Sequence, residues 1–411
     1  MGRADENGQE PFPVPTLELN RALGGADEER VRPPTHAARG HHLMNEKPVA
    51  QKRNVHDFLR FVVDKKASDL HVKAGGPPYV RVSGRLSKTD FPAMSSSDCE
   101  RAAMELMDEA QAKAFKERGE IDFAYSEHGL GRFRVNVFLQ RGSVAIAARR
   151  VLPGSPGFDT LGLPPSVKTL ADEQRGLVLV TGPTSSGKTT TTAAMINHVN
   201  ATRSCHILTI EDPIEILHAD RQAIVNQREI GHDTEDFATA MRAAMRQDPD
   251  VIFVGEIRDP ETVKAALQAS ETGHLVISTL HTTDVSETVN RIIDFFPPHQ
   301  QKQIRVSLSA SLKGIVSQRL LPRKDGRGRI PAVEVLVMNG RIHDLILNAE
   351  QTHMIHDIVA ESDFYGMQTF DQAMLYLYRA GLITLDEAMT AATNPHDFQI
   401  ALRQEGLQPI S

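Results

Sequence analysis

A chain of 411 residues, 40% of them hydrophobic, is too long for one ordinary domain and holds enough apolar side chains for a substantial core. Its 46 basic and 53 acidic side chains leave a formal net charge of -7, which argues against a protein whose overall charge coats nucleic acid or anionic membrane. Two cysteines, Cys99 and Cys205, exclude a disulfide framework and a four-cysteine zinc site, and both are expected as small buried apolar residues in a reducing compartment.

Residues 1–50 are polar, rich in Gly, Pro and Arg, and contain no apolar h-region; a disordered N-terminal extension is expected, with solvated His36, His41 and His42. No stretch approaches the roughly 18 uninterrupted apolar residues of a membrane span. The expectation is therefore a cytoplasmic protein without direct membrane insertion.

From Val55 the pattern changes. Val55, Phe58, Leu59, Val62 and Val63 recur at helical spacing, and strands are predicted over Tyr79–Val82 and Arg132–Leu139. Between them Ser97–Phe115 reads as one helix, with Ser95, Ser96 or Ser97 available as N-cap and a Met-rich face that packs as core. These elements make a small mixed α/β domain over residues 51–155. The breakers in Leu152-Pro-Gly-Ser-Pro-Gly-Phe158 and Leu163-Pro-Pro165 place a linker or hinge at residues 156–168. In the second domain, residues 169–411, apolar runs of strand length (Leu177–Val180, Ile207–Ile210, Val251–Val254, Leu275–Ile277) alternate with helical segments, which predicts a mainly parallel sheet with crossover helices. From Ile342 the chain reads as helices, including Phe370–Arg379 and Leu385–Ala392.

Four segments at the ends of these runs carry chemistry. The first, Gly182-Pro183-Thr184-Ser185-Ser186-Gly187-Lys188-Thr189, followed by Thr190 and a helix to Asn200, matches G-x-x-x-x-G-K-[ST]. Backbone N–H groups of such a loop and of the helix start form a concave anion site, Lys188 is placed to neutralise phosphate charge, and the Thr189 hydroxyl to bind Mg²⁺. The second, Glu211-Asp-Pro-Ile-Glu215, follows a strand whose carboxyl end is where ligands lie in parallel sheets, so Glu211 is placed to touch Mg²⁺ or attacking water; for Asp212, helix capping before Pro213 is the alternative. The third, Gly255-Glu256-Ile-Arg-Asp259, has glycine where most P-loop ATPases have the Mg²⁺-binding aspartate, with Glu256 next in line or else an exposed acid at a helix start. The fourth puts His274 before and His281 after a strand, and His281, at the carboxyl end, is the candidate for sensing the γ-phosphate.

In this order the segments resemble the Walker A, Asp, atypical Walker B and His boxes of the type II/IV secretion ATPase superfamily, and within it the type IV pilus retraction ATPases and their accessory paralogues. Ala67-Ser-Asp-Leu-His71, Gly131-Arg-Phe-Arg-Val-Asn136, Arg246-Gln-Asp-Pro-Asp250 and Gly366-Met-Gln-Thr-Phe-Asp-Gln372 extend the likeness from Val55 almost to the C-terminus. Three departures stand out: Phe253 replaces an aliphatic residue, Ser185 stands where glycine is commoner, and Arg341-Ile-His-Asp-Leu-Ile-Leu-Asn348 replaces most polar positions of a segment tied to retraction. The four-cysteine insertion of extension-type ATPases has no counterpart.

The resemblance implies an N-terminal PAS-like mixed α/β domain, a C-terminal RecA-like P-loop domain with a helical C-terminal end, and a homohexamer that hydrolyses ATP with Mg²⁺. It further implies work on an inner-membrane pilus platform protein, with peripheral placement at that membrane, a paralogous retraction ATPase as a second partner, and no nucleic acid. Glu256 is the favoured water activator and Glu211 the favoured holder of the Mg²⁺ water shell, with the reverse assignment open. Arg132 and Arg134, on one strand face, are either arginine fingers or solvated. A motor for secretion or DNA and a weakly hydrolysing regulator remain as other readings; the presence of both glutamates argues against the regulator.

Overall fold

The computed structural model describes residues 54–82 and 84–407. The expected extension over residues 1–50, with His36, His41 and His42, lies outside the described residues.

The first helix, Val55–Asp64, is started by Asn54 in a capping box with Asp57 and buries Val55, Phe58, Leu59 and Val62, the stripe anticipated from their spacing. Strands β1 (Asp69–Lys73), β2 (Tyr79–Val82) and β3 (Arg85–Lys88) follow, then two helices, then β4 (Glu120–Glu127), β5 (Gly131–Gln140) and β6 (Ser143–Pro153). Their sheet runs β3-β2-β1-β6-β5-β4 with every neighbour antiparallel. Phe133, Val135 and Val137 of β5 face the helices and are buried, so the alternate residues Arg132 and Arg134 share the opposite face.

The single helix expected over Ser97–Phe115 is two, Ser96–Leu106 and Glu109–Arg118. Met107 is extended (φ -101°, ψ 142°), and Asp108 caps the second helix reciprocally with Gln111. The local capping box outweighs the continuous apolar pattern.

After the short turn Phe158–Thr160, helix Pro165–Ala171 buries Val167, Leu170 and Ala171 against the second sheet. That sheet is built from β7 (Gly176–Thr181), β8 (His206–Glu211), β10 (Ile224–Glu229), β11 (Val251–Val254), β12 (Leu275–Leu280), β13 (Leu312–Pro322) and β14 (Arg329–Val337). Its order is β10-β8-β11-β12-β7-β13-β14, parallel except for the final hairpin. Helices Lys188–Thr202, Phe237–Ala244, Pro260–Glu271, Val285–Asp294 and Pro298–Ser311 connect the strands. Every residue of β7, β11 and β12 is buried, which is why these strands read as uninterrupted apolar runs. Helices Gly340–Leu347, Ile355–Ala360, Phe370–Arg379, Leu385–Ala391 and Pro395–Gln404 form the C-terminal end.

A two-residue strand, β9 (Ile216–Leu217), lies in the connection from β8 to β10 and pairs in parallel with Leu152 and Pro153 of β6 in the first sheet. Arg132 on β5 is ion-paired at 3.0 Å with the buried Glu229 at the end of β10. The two sheets of one chain are thus joined by backbone and by charge.

Candidate active site

The parallel strands deliver their loops to one edge of the sheet. β7 ends at Thr181, and the chain turns through Gly182 (φ 142°), Ser185 (φ 66°) and Gly187 (φ 95°) into the helix that begins at Lys188. A Cβ on Gly182 would collide with the Gln318 carbonyl oxygen, and one on Gly187 would sit 2.6 Å from Gln318 Nε2, so both positions need glycine for space as well as for backbone angle. Ser185 adopts the left-handed region without that freedom.

Lys188 Nζ donates to the carbonyl oxygens of Gly182 (2.6 Å) and Pro183 (3.1 Å), curling over the loop. Burial lowers its pKa, and the carboxylate of Glu215 opposes that shift. Across the cleft, Glu211 is 8% exposed; Thr209 Oγ1 (2.7 Å) and Gln227 Nε2 (3.0 Å) both donate to its Oε1. Burial pushes the Glu211 pKa up, and these donors pull it back. No helix follows the cis Asp212–Pro213 bond, so Asp212 is not a cap; its Oδ2 faces Arg258 Nη1 at 3.6 Å.

Glu256, at the end of β11, pairs with Arg258 Nε through Oε1 and with His281 Nε2 (3.1 Å) through Oε2. Its side chain is 13% exposed, and Asp259 caps the helix that follows, so Glu256 is not an exposed helix-start acid. Burial, then the nearby cations Lys188 and Arg258, lower the His281 pKa, which leaves the ring neutral at pH 7. With its proton on Nε2, the ring donates to Glu256.

These groups line one cleft of about 400 Å³: Thr184, Ser185, Lys188 and Thr189 on the loop side, Glu211, Asp212, Glu256 and His281 opposite, with Phe253 in the wall. Its size and polarity suit a phosphorylated ligand. A second cleft of similar size, about 420 Å³, lies between Leu163, Pro331, Val333 and Tyr376 and has no ionisable catalytic pair, so chemistry belongs to the first. Thr189, Glu211 and Glu256 offer oxygen donors alone, the set preferred by Mg²⁺.

Three expected residues stand apart. Arg132 is held by Glu229 and by Ser126 Oγ (3.1 Å), and Arg134 is exposed; neither lines the cleft of its own chain. His274 sits at the amino end of β12, bonded to the Ala269 carbonyl (2.9 Å), away from the phosphate edge. Sequence reasoning did not find Thr209, Gln227 or Gln318, and named Arg258 only as part of the third segment. Thr209 alone had a local signal, two residues before Glu211 on the same strand face.

The family model for type II/IV secretion system proteins matches residues 45–389. The type IV pilus ATPase PilU of Pseudomonas aeruginosa is 41% identical over 346 residues, covering 84% of this chain and 90% of that protein. The type IV pilus retraction ATPase PilT of the same organism is 40% identical over 345 residues, covering 84% of this chain and 100% of that protein. A crystal structure of the pilus retraction motor PilT with bound ADP matches with a TM-score of 0.78 at 46% identity, over 85% of this chain and 99% of that one.

Proposed function

Because the chain belongs to the type II/IV secretion system protein family, we propose that it is the ATP-hydrolysing motor of type IV pilus retraction, the work behind twitching motility. The observation that carries this reading is the convergence of Lys188, Glu211, Glu256 and His281 on one cleft beside the loop Gly182–Thr189 in a chain that is a P-loop ATPase of the PilT and PilU type.

The loop N–H groups and the start of helix Lys188–Thr202 bind the phosphates, and Lys188 exchanges its carbonyl partners for phosphate oxygens. Thr189 and Glu211 would hold Mg²⁺, which would supply charge neutralisation on those oxygens. Glu211 suits a holding role because two donors and burial fix its carboxylate. Glu256 orients and deprotonates the attacking water, with neutral His281 keeping it in place. Phosphate loss frees His281 and Arg258 to move, and that motion reports nucleotide state along the β11–β12 edge.

The active form in this reading is a homohexamer on the cytoplasmic side of the inner membrane, pushing on a pilus platform protein, with Arg134 serving a neighbouring subunit's nucleotide and residues 153–165 bending between domains over residues 51–155 and 169–411. Membrane contact is indirect: among the described residues no helix is long and apolar enough to cross a membrane. An accessory role of the PilU kind is the second reading, favoured by the near-equal identities of 41% and 40% to PilU and PilT and by the altered segment Arg341–Asn348.

The biochemical test is ATP turnover by wild type, Lys188→Ala and Glu256→Gln at matched oligomer size; unchanged turnover in both variants rejects the site. Deleting the gene and imaging pili separates the two readings: excess unretracted pili mark the primary motor, whereas pili that still retract as in the parent strain mark the accessory one.

A further inference from the structure

Gln318 lies on β13, 2% exposed, beneath the phosphate loop, and both ends of its amide are used. Its Oε1 accepts from Thr191 Oγ1 (2.8 Å) in the first turn of the loop's helix, and its Nε2 donates to the Ser186 carbonyl (2.8 Å). The second bond has a geometric consequence. A trans peptide is planar with its C=O and N–H opposed, so fixing the Ser186 carbonyl toward β13 aims the Gly187 N–H away from it, as a phosphate-binding loop requires. The same amide lies where a Cβ on Gly187 would be, so the glycine and the glutamine are matched parts.

The next residue faces the other way, because side chains alternate along a strand. Arg319 stacks its guanidinium 3.9 Å above the Phe370 ring and donates from Nη1 to the Ala391 carbonyl (2.6 Å). Phe370 opens one C-terminal helix and Ala391 closes another. Two consecutive residues of one strand therefore hold the phosphate loop on one side and the C-terminal helices on the other. The hairpin partner adds a weaker tie, Arg329 Nη1 to the Ser185 carbonyl at 3.4 Å.

We propose that Gln318 is a positioning residue for nucleotide and that the Gln318–Arg319 step of β13 transmits the state of the phosphate loop to the C-terminal helices, residues 370–391. The inference rests on the nucleotide reading of the loop, and one variant separates the two.

ADP binding and amide hydrogen exchange are measured on the full chain. Gln318→Leu is expected to weaken ADP binding about tenfold or more, the effect of one to two buried hydrogen bonds. Thr191→Val, isosteric, is expected to weaken it about threefold, and the double variant to be no worse than Gln318→Leu alone, since both remove one shared bond. Wild type is expected to show an ADP-induced change in exchange over residues 370–391, and Arg319→Gln to bind ADP within about twofold of wild type yet lose that change. Wild-type affinity in Gln318→Leu, additive loss in the double variant, or a wild-type exchange response in Arg319→Gln overturns the proposal. If Gln318→Leu does not fold, wild-type affinity in Thr191→Val overturns it instead. Lys188→Ala supplies the distinction: weakened ADP binding in Lys188→Ala with wild-type affinity in Gln318→Leu keeps nucleotide at the loop and rejects only the role of Gln318, whereas a wild type that binds no ADP defeats the nucleotide reading itself.

Discussion

His281 Nε2 lies 3.1 Å from Glu256 Oε2, joining the carboxyl ends of two adjacent parallel strands, β11 and β12, across the mouth of the cleft. A neutral imidazole donates one hydrogen bond to the Glu256 carboxylate, whereas an imidazolium would hold that carboxylate more tightly and make it a poorer base.

Turnover should therefore report both residues. Glu256→Gln is expected to lower kcat about 10²–10³-fold with ADP affinity nearly unchanged, and His281→Ala about tenfold or more. Because the His281 pKa is lowered from 6.5, the acid limb that protonation of His281 adds to the kcat profile lies below that pH and should be absent in His281→Ala. Steady-state kinetics from pH 5 to 8 checks this, and an identical acid limb in the variant removes His281 from the explanation.

Ser185 pays a conformational cost where its position favours glycine, at φ 66°. Ser185→Gly relieves that cost but enlarges the unfolded ensemble, so the expected gain is no more than about 1 kcal/mol, a rise of about 2 °C or less in Tm, with turnover unchanged. Calorimetry that shows a lower Tm would mean the loop is held by the serine side chain.

The Arg132–Glu229 pair separates two roles that the sequence left joined. With Arg132 16% exposed and the Glu229 side chain 8% exposed, Arg132→Ala strands a buried carboxylate that retains only the Ile214 N–H (3.0 Å), at a cost of about 3 kcal/mol. Arg134→Ala should leave the stability of the chain within about 0.5 kcal/mol, since that side chain is exposed. If Arg134 serves a neighbouring subunit, its variant loses turnover without losing stability. Chemical denaturation beside ATPase rates reads both arms, and equal stability loss in the two variants contradicts the assignment.

His356 and Glu334 make stability depend on pH. Glu334 is 1% exposed on β14; its Oε2 accepts from Val285 N (2.9 Å) and its Oε1 faces His356 Nδ1 (3.5 Å). That hydrogen bond, against an opposing burial effect, raises the His356 pKa above 6.5. The folded chain then binds the proton more tightly than the unfolded one, so this contribution is complete below pH 6.5 and fades as pH rises through the folded pKa. Unfolding midpoints measured from pH 6 to 8.5 should fall more steeply in wild type than in His356→Gln; parallel curves would show that the pair does not titrate as drawn.

Much of the fold was legible where tertiary context agrees with local pattern. The run Val251–Val254 is buried on both faces and needed no other information, and the loop from Gly182 to Thr189 carries its spacing in the chain itself. The hairpin β13–β14 was not legible, because Lys313, Ser317, Gln318 and Arg319 interrupt its apolar pattern and find their partners far away: Gln318 in the phosphate loop, Arg319 at Ala391. Arg132 was legible as a strand residue, but its partner Glu229 lies on another sheet and no periodicity announces it. At Met107 and Asp108 the signal was present, an Asp and a Gln three apart, and the stronger helical stripe hid it.

The short strand β9 constrains how such a machine can bend. Ile216 and Leu217 pair with Leu152 and Pro153, and the Gly154 N–H donates to the Leu217 carbonyl (2.9 Å), only a few residues past Glu211. A swing of the N-terminal sheet that keeps these bonds drags the 212–217 loop, with Asp212 and Glu215, across the cleft. A swing that breaks them exposes backbone groups to be satisfied elsewhere. While these bonds hold, the cleft and the N-terminal sheet share a tether, so any displacement of that sheet would be felt as a change in the acidic wall facing Lys188.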